Sequence, residues 1–280
     1  MNTLDPTPRQ GWQARLELGF TRIGSRTLLS ERRHSGPLLV QRPFYPEADG
    51  ACHVYVLHPP GGVVGGDELE LSVDARAGAD ALLTTPAAAK FYRSVGARAR
   101  QQHLFRVAED AALEWLPQET IVYDGARMRT VTRVELHGSA RFIGWEILCL
   151  GRPAAGEEFA HGACRQALEL WHGHIPLYLE RGHYEGDGEL LRAAWGLRCL
   201  PVTATLLCSG SPTEGVEAVR GAVNAEAGEW FGASQLEGVL VCRYLGPSAA
   251  RARALFMNAW SVLRPILLGK SACPPRVWMT

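Results

Sequence analysis

Glu68-Leu69-Glu70-Leu71-Ser72-Val73-Asp74 alternates polar and apolar residues without a break. Successive side chains of a β-strand point to opposite faces, so this run places Leu69, Leu71 and Val73 on one side and the polar groups on the other. It reads as a strand with one face in a core and one in water. Working outward, short apolar runs punctuated by Gly, Pro or Asp recur on both sides. His53-Val54-Tyr55-Val56-Leu57 stops at Pro59-Pro60, which cannot continue a central ladder. Residues 130–136, 141–150, 163–171, 175–179, 202–207 and 238–245 are further strand candidates, with Asp124-Gly125 and Asp187-Gly188 as tight-turn signals between runs. No fixed-period repeat is legible. Many short strands at roughly ten-residue spacing predict a mainly β protein of barrel, sandwich or solenoid type.

Two helices are predicted, both in the C-terminal third. Ser211-Pro212-Thr213-Glu214 carries a capping residue, a first-position proline and an acidic third position, and Val216, Val219 and Val223 then share a face. A second start at Ser248 leads into Leu255, Phe256, Ala259, Val262 and Leu263 at helical spacing. Pro265 predicts an end near Leu263, because the residue before a proline avoids the helical region.

The 280 residues are 46% hydrophobic and 21% charged, the range of a packed globular chain able to bury a sizeable core. Lys plus Arg and Asp plus Glu number 29 each, so no basic excess points to nucleic acid or a membrane surface. The seven cysteines are scattered and form no C-x-x-C pair, and most sit among apolar neighbours, as expected of buried free thiols in a reducing compartment. The first residues lack an apolar signal-peptide core, and no apolar run is long enough to span a bilayer. A cytoplasmic, soluble chain is expected.

The densest stretch runs from Arg42 to Glu68 and holds Gly61-Gly62-Val63-Val64-Gly65-Gly66. Such glycines mark positive-φ turns or close backbone approach. They are not a phosphate loop, since the G-x-G-x-x-G spacing is missing and a strand follows. Glu47, Asp67 and Glu68 flank the stretch with His53 and His58, and oxygen plus imidazole ligands suit a borderline divalent ion such as nickel. Solvated acids at the rim of a Gly-rich turn explain the same residues. Gly269-Lys270-Ser271 imitates the end of a nucleotide-binding loop, but Arg264 stands where its first glycine belongs. His172, His174 and His183 lack carboxylate or thiolate partners in sequence and read as loop residues. Residues 84–93 and 113–119 mix aromatics with charge and proline, which fits either a strand end with a paired charge or an interface.

Taken in order, several blocks resemble the urease accessory protein D family (UreD, called UreH in some bacteria). They are Arg42-Pro-Phe-Tyr-Pro-Glu47, His58-Pro-Pro-Gly-Gly-Val-Val-Gly-Gly-Asp67, Thr84-Thr-Pro-Ala-Ala-Ala-Lys90-Phe-Tyr92, Glu114-Trp-Leu-Pro-Gln-Glu119, Gly151-Arg152 and Leu268-Gly-Lys-Ser-Ala-Cys-Pro-Pro-Arg276-Val-Trp278. The resemblance implies a single-domain, solenoid-like β-stack of many short strands over residues 19–280, preceded by a polar segment at 1–18. It implies a non-catalytic scaffold that binds urease apoprotein and recruits accessory protein F and the GTPase accessory protein G. GTP would belong to that partner, and no tightly bound cofactor is expected here. It also implies an internal polar passage for nickel in transit, with Glu47, Asp67, Glu68 and His58 as its candidate ligands. Gly61, Gly62, Gly65, Gly66, Lys90, Tyr92, Trp115 and Glu119 are the structural positions of the motifs. Two other readings of the residues stand beside it. One is a metal-dependent hydrolase using the same four ligands around an activated water; the other is a β module that binds carbohydrate or protein without metal.

Overall fold

The computed structural model describes residues 11–210 and 213–279. In chain order its strands are β1 (Gln13–Ile23), β2 (Arg26–Ser35), β3 (Leu39–Val40), β4 (Cys52–Leu57), β5 (Glu68–Ala75), β6 (Asp80–Thr84), β7 (Ala89–Phe91), β8 (Ala99–Val107), β9 (Ala112–Trp115), β10 (Thr120–Val122), β11 (Arg127–Leu136), β12 (Arg141–Leu150), β13 (Ala163–His172), β14 (Ile175–Glu185), β15 (Val202–Ser209), β16 (Trp230–Leu236) and β17 (Val239–Gly246). The helices are α1 (Glu189–Arg192), α2 (Thr213–Ala222) and α3 (Ala249–Leu268).

The chain winds between two sheets. One has the order β14-β13-β11-β8-β5-β1-β2; the other contains β16-β17-β15-β12-β9-β6-β4-β3, with β10 and β7 added beside β12. Strands β1, β5, β8, β11 and β13 lie parallel in the first sheet, and β4, β6, β9 and β12 lie parallel in the second. Each coil therefore lays one strand on each sheet, which is the solenoid arrangement. Three of the crossings are alike: in residues 76–79, 108–111 and 137–140 the backbone N–H of the fourth residue (Ala79, Ala111, Ala140) donates a hydrogen bond to the carbonyl of the first. A positive φ appears in each, at Gly78, Asp110 and Gly138. A structural repeat of roughly 30 residues is thus present without an identity repeat in the sequence.

Two cores result. The first fills the space between the sheets with Leu69, Leu71, Val73, Phe105, Leu113, Trp115 and Phe142 among others. The second lies on the far side of the larger sheet, where Ile143, Trp145, Ile147, Leu206 and Cys242 meet Val216 and Val219 of α2 and Phe256, Trp260 and Leu263 of α3. The larger sheet is thus covered on both sides, and β12 reads as an almost unbroken apolar run for that reason. The smaller sheet keeps one face in water, so β5 alternates as the sequence predicts.

Some boundaries differ from expectation. β1 begins at Gln13, so the polar segment placed at 1–18 gives way to the sheet before Gly19; Ala14, Leu16 and Leu18 alternate inward and are buried. Helix α3 runs on to Leu268 with Pro265 inside it. Arg264 is held in helical conformation by buried ion pairs described below, which outweigh the steric preference of a pre-proline residue, and Gly269 (φ 69°) ends the helix instead. The Asp187-Gly188 turn leads into the one-turn α1 rather than joining two strands. The expected start of α2 at Ser211-Pro212 lies outside the described residues, while Val216, Val219 and Val223 are buried.

Candidate functional site

A cavity of about 440 Å³ opens between the two sheets. Its mouth is formed by the loop after β4 (His58, Pro59, Gly61, Val63) and by residues 85–90, with Pro59, Gly61 and Ala87 exposed. Its inner wall carries Gln101 and His103 from β8, Thr130 from β11, Glu146 from β12 and Gln166 from β13. These are inward positions of strands whose other inward residues are apolar, so the polar groups stand as a row across the core.

The row is joined by hydrogen bonds. Thr132 Oγ1 donates to Glu146 Oε1, and Gln166 Nε2 donates to Glu146 Oε2. Thr132 has therefore spent its proton and accepts from His103 Nδ1 at 2.9 Å. His103 Nε2 then accepts from Gln101 Nε2 at 2.8 Å, which makes the imidazole neutral. Burial agrees, pushing His103 down to about 4. Burial also pushes Glu146 up to about 7, opposed only by its two neutral donors; among the described residues no cation pairs with it. What surface Glu146 retains faces the cavity rather than bulk water, since it lines both this cavity and a smaller one of about 10 Å³. The smaller one continues the row through Glu180 and Thr205, bonded at 3.0 Å, to Tyr178 and the exposed Arg243, bonded at 2.7 Å. The polar line thus runs from the Gly-rich mouth to the β14–β17 side of the molecule.

Of the four ligands expected from sequence, only His58 lines the cavity, and burial lowers its pKa against the pull of nearby Asp67. Asp67 is buried and caps a turn, accepting from the amides of Trp12 and Val64 at 2.8 Å each. Glu68 sits on the solvent side of β5 and pairs with Arg100 at 2.8 Å. Glu47 belongs to a different network. Both its oxygens are taken by Arg264 (2.6 and 2.7 Å), and Oε1 also meets His53 Nε2 at 2.7 Å. Desolvation is outweighed there by the bonds from His53 and Arg264, and the Glu47 carboxyl falls to about 2. The four do not converge, and among the described residues no three His, Cys, Asp or Glu side chains gather as a metal-ligand group. The shared coordination sphere that the hydrolase reading needs is absent from these residues.

Arg264 is the centre of that second network. It reaches Glu114 at 2.9 to 3.1 Å and the carbonyl of Ser271, while Trp260 Nε1 donates to Glu114 at 2.6 Å. Burial raises the Glu114 pKa against these donors; desolvation of Arg264 is outweighed by Glu47 and Glu114, which hold it charged. Nearby, Lys270 of the nucleotide-loop look-alike pairs with Asp80 and Asp49.

Of the motif glycines Gly61 lines the cavity, and the others pack the loop beside it. A Cβ on Gly62 would fall 2.0 Å from the Tyr92 ring, and one on Gly65 would fall 2.0 Å from Ser94 Oγ and 2.7 Å from the Ala97 carbonyl. Gly61 and Gly66 adopt positive φ. Tyr92 stacks edge-on with Tyr123 at 4.8 Å, Lys90 lines the cavity, Trp115 is core, and Glu119 lies 3.4 Å from Arg253. Sequence reading overlooks His103, Glu146, Gln166 and Glu180. The available signal was a single carboxylate inside Trp145-Glu146-Ile147-Leu148-Cys149-Leu150, an acid with no reason to sit in a two-sided apolar strand unless it is used.

The family model for UreD urease accessory protein matches residues 13–279. The chain belongs to the UreD family. Relatives named urease accessory protein UreD include those of Azoarcus sp. strain BH72 (50% identical over 272 residues, 96% of this chain and 95% of the relative) and Dechloromonas aromatica strain RCB (47% over 280 residues, 98% and 97%). The Klebsiella aerogenes protein is 44% identical over 275 residues, covering 98% of this chain and 99% of the relative. For this UreD family member the family's name indicates an accessory role in urease maturation. Among the described residues no helix is long and apolar enough to cross a membrane.

Proposed function

We propose that the chain is a non-catalytic, cytosolic scaffold that binds urease apoprotein, recruits accessory proteins F and G, and passes nickel toward the urease active site through the inter-sheet cavity. The polar row from buried His103 through half-buried Glu146 to Glu180, entered at His58, is the observation that carries this reading. Sparse carboxylate, amide and hydroxyl oxygens hold nickel loosely, and a route must release its ion rather than trap it. GTP hydrolysis belongs to accessory protein G.

The test is nickel per urease active site together with pull-down of urease apoprotein and accessory protein F. Glu146→Gln keeps the shape and removes the charge; its one NH2 replaces an acceptor oxygen, which Gln166 meets by turning its own amide over. It is expected to retain both partners and to lower nickel incorporation several-fold. Full metallation by this variant would remove the cavity from the route, and failure of the unaltered chain to bind urease apoprotein would reject the scaffold itself.

A further inference from the structure

The water-facing side of the seven-stranded sheet is unevenly charged. At the start of the coils, the register aligns Arg100 of β8 with Arg129 of β11, Arg129 with Arg165 of β13, and Arg165 with His183 of β14. All four side chains are exposed. Arg127 stands one outward position earlier on β11, and Arg98 immediately precedes β8; both are exposed too.

Arg100 is offset by Glu68, and His183 lies 3.1 Å from Glu185. Arg98, Arg127, Arg129 and Arg165 have no carboxylate partner among the described residues, and the one side-chain bond of Arg165 goes to His183. Elsewhere on this face Arg15 pairs with Glu17 and Glu70, Arg106 with Asp74 and Glu135, and Arg133 with Glu135 and Glu169, while Arg33 of β2 stands opposite Glu17 rather than another arginine. Like charges directly opposite on neighbouring strands destabilise a sheet. Acidic residues equal basic ones in number over the chain, yet among the described residues none pairs with Arg98, Arg127, Arg129 or Arg165.

We propose that this arginine patch docks an acidic surface of the urease apoprotein. The assignment rests on the scaffold reading above, which makes the apoprotein a partner. An acidic protein surface fits better than a long polyanion or an anionic membrane. Glu17, Glu70, Asp74, Glu135 and Glu169 occupy the rest of the same face, paired with Arg15, Arg106, Arg133 and Arg181. The uncompensated positive charge is thus confined to the patch, and a long polyanion or a flat anionic membrane gains nothing beyond it. Val131 and Ala167 lie half-buried in the next row, with the exposed Leu179 beyond, and supply the apolar contact of a protein interface.

Binding to purified urease apoprotein is measured at about 50 and 300 mM NaCl, conditions between which surface charge is progressively screened. The chains compared are the unaltered protein, Arg129→Ala/Arg165→Ala, Arg129→Glu/Arg165→Glu, and Arg32→Glu/Arg33→Glu on the opposite edge strand as a control for net charge. The expected result is weakening of about 100-fold or more for the reversal at Arg129 and Arg165, with an intermediate loss for the alanine pair. Little change is expected for the control, and the unaltered chain alone should show strong salt dependence. Unfolding midpoints within about 2 °C of one another establish that the fold is kept. If urease binds the unaltered chain and the alanine and reversal variants equally, the patch is not the interface and the scaffold reading stands. If the unaltered chain fails to bind, the scaffold reading falls and the proposal with it. Loss of binding only to a DNA duplex or to phosphatidylserine vesicles, with urease affinity unchanged, also overturns the proposal.

Discussion

Glu114 and Glu146 sit on neighbouring strands of one sheet and are both removed from bulk water, yet they face opposite sides and live under opposite rules. Glu114 points toward α3, where Arg264 and Trp260 saturate it and Arg264 carries on to Glu47. Glu146 points into the inter-sheet space, where Thr132 and Gln166 donate and no cation among the described residues arrives. Burial alone does not define what a carboxylate does. A counter-charge turns it into a clamp, and neutral donors leave it able to change its charge.

Breaking the clamp has the largest expected effect. Arg264→Met would strand Glu114 and Glu47, and the loss of a partner from a buried pair is expected to cost about 3–5 kcal/mol in a urea titration. Glu114→Gln should cost less, because Arg264 keeps Glu47 and one oxygen of the amide still accepts, although its NH2 then faces either Trp260 or Arg264. Glu47 adds a pH signature to the clamp. Its pKa is lowered on folding to about 2, so its contribution is present above the ordinary carboxylate range and is lost as pH falls through 2. The stability gap between the unaltered chain and Glu47→Gln should close accordingly on acidification.

The cavity side should respond with the reverse sign. Glu146 has its pKa raised to about 7, so folding favours its protonated form; that advantage is full below the ordinary range and is lost as pH rises through 7. Glu146→Gln is therefore expected to be more stable than the unaltered chain by about 2–3 kcal/mol at pH 8 and nearly equal to it at pH 4.5. His103 works from the other direction. Its pKa is lowered to about 4, so its contribution is present above 6.5 and is lost as pH falls through 4. Parallel urea titrations at several pH values read all three signs, and an Glu146→Gln difference that did not grow between pH 5 and 8 would show that the carboxylate is well solvated.

The Gly-rich loop beside the cavity supplies a smaller contrast. Gly65→Val should lose about 2 kcal/mol or more, because its side chain would meet the Ala97 carbonyl, while Glu68→Ala one strand-start later loses a surface pair worth under about 1 kcal/mol. Smallest of all, Arg129→Thr should stabilise the fold by a few tenths of a kcal/mol, read as a slight rise in the unfolding midpoint, by relieving repulsion from Arg100 and Arg165.

How far these features were legible in the sequence depends on the distance over which they are made. The alternation of β5 is local, and a face in water makes it readable from seven residues. The outward arginines of β11 and β13 alternate just as plainly, but their adjacency is a matter of register between strands, which no single run displays. Arg264 looks from sequence like the last residue before a helix-ending proline. Its partners Glu114 and Glu47 lie 150 and 217 positions away, and it is they that keep the helix going. Glu47, Asp67 and Glu68 read as one acidic group because they are close in sequence near glycines. The turn geometry sends them to a buried clamp, a turn cap and the solvent. The coil repeat escaped because it is carried by bond pattern and handed backbone, with glycine in two turns and aspartate in the third.

Those matched crossings also act as a ruler. Each spends the same four residues getting from one sheet to the other, so the gap between the walls is held constant from coil to coil. Each further coil advances the stack by one strand spacing, about 4.8 Å. The length of the internal passage is accordingly counted in whole coils, and a lineage could lengthen or shorten it only by steps of that size. A one-residue insertion in any of the three crossings would leave the length untouched and instead skew a single wall, turning the inward row that begins at His103 partly toward the outside.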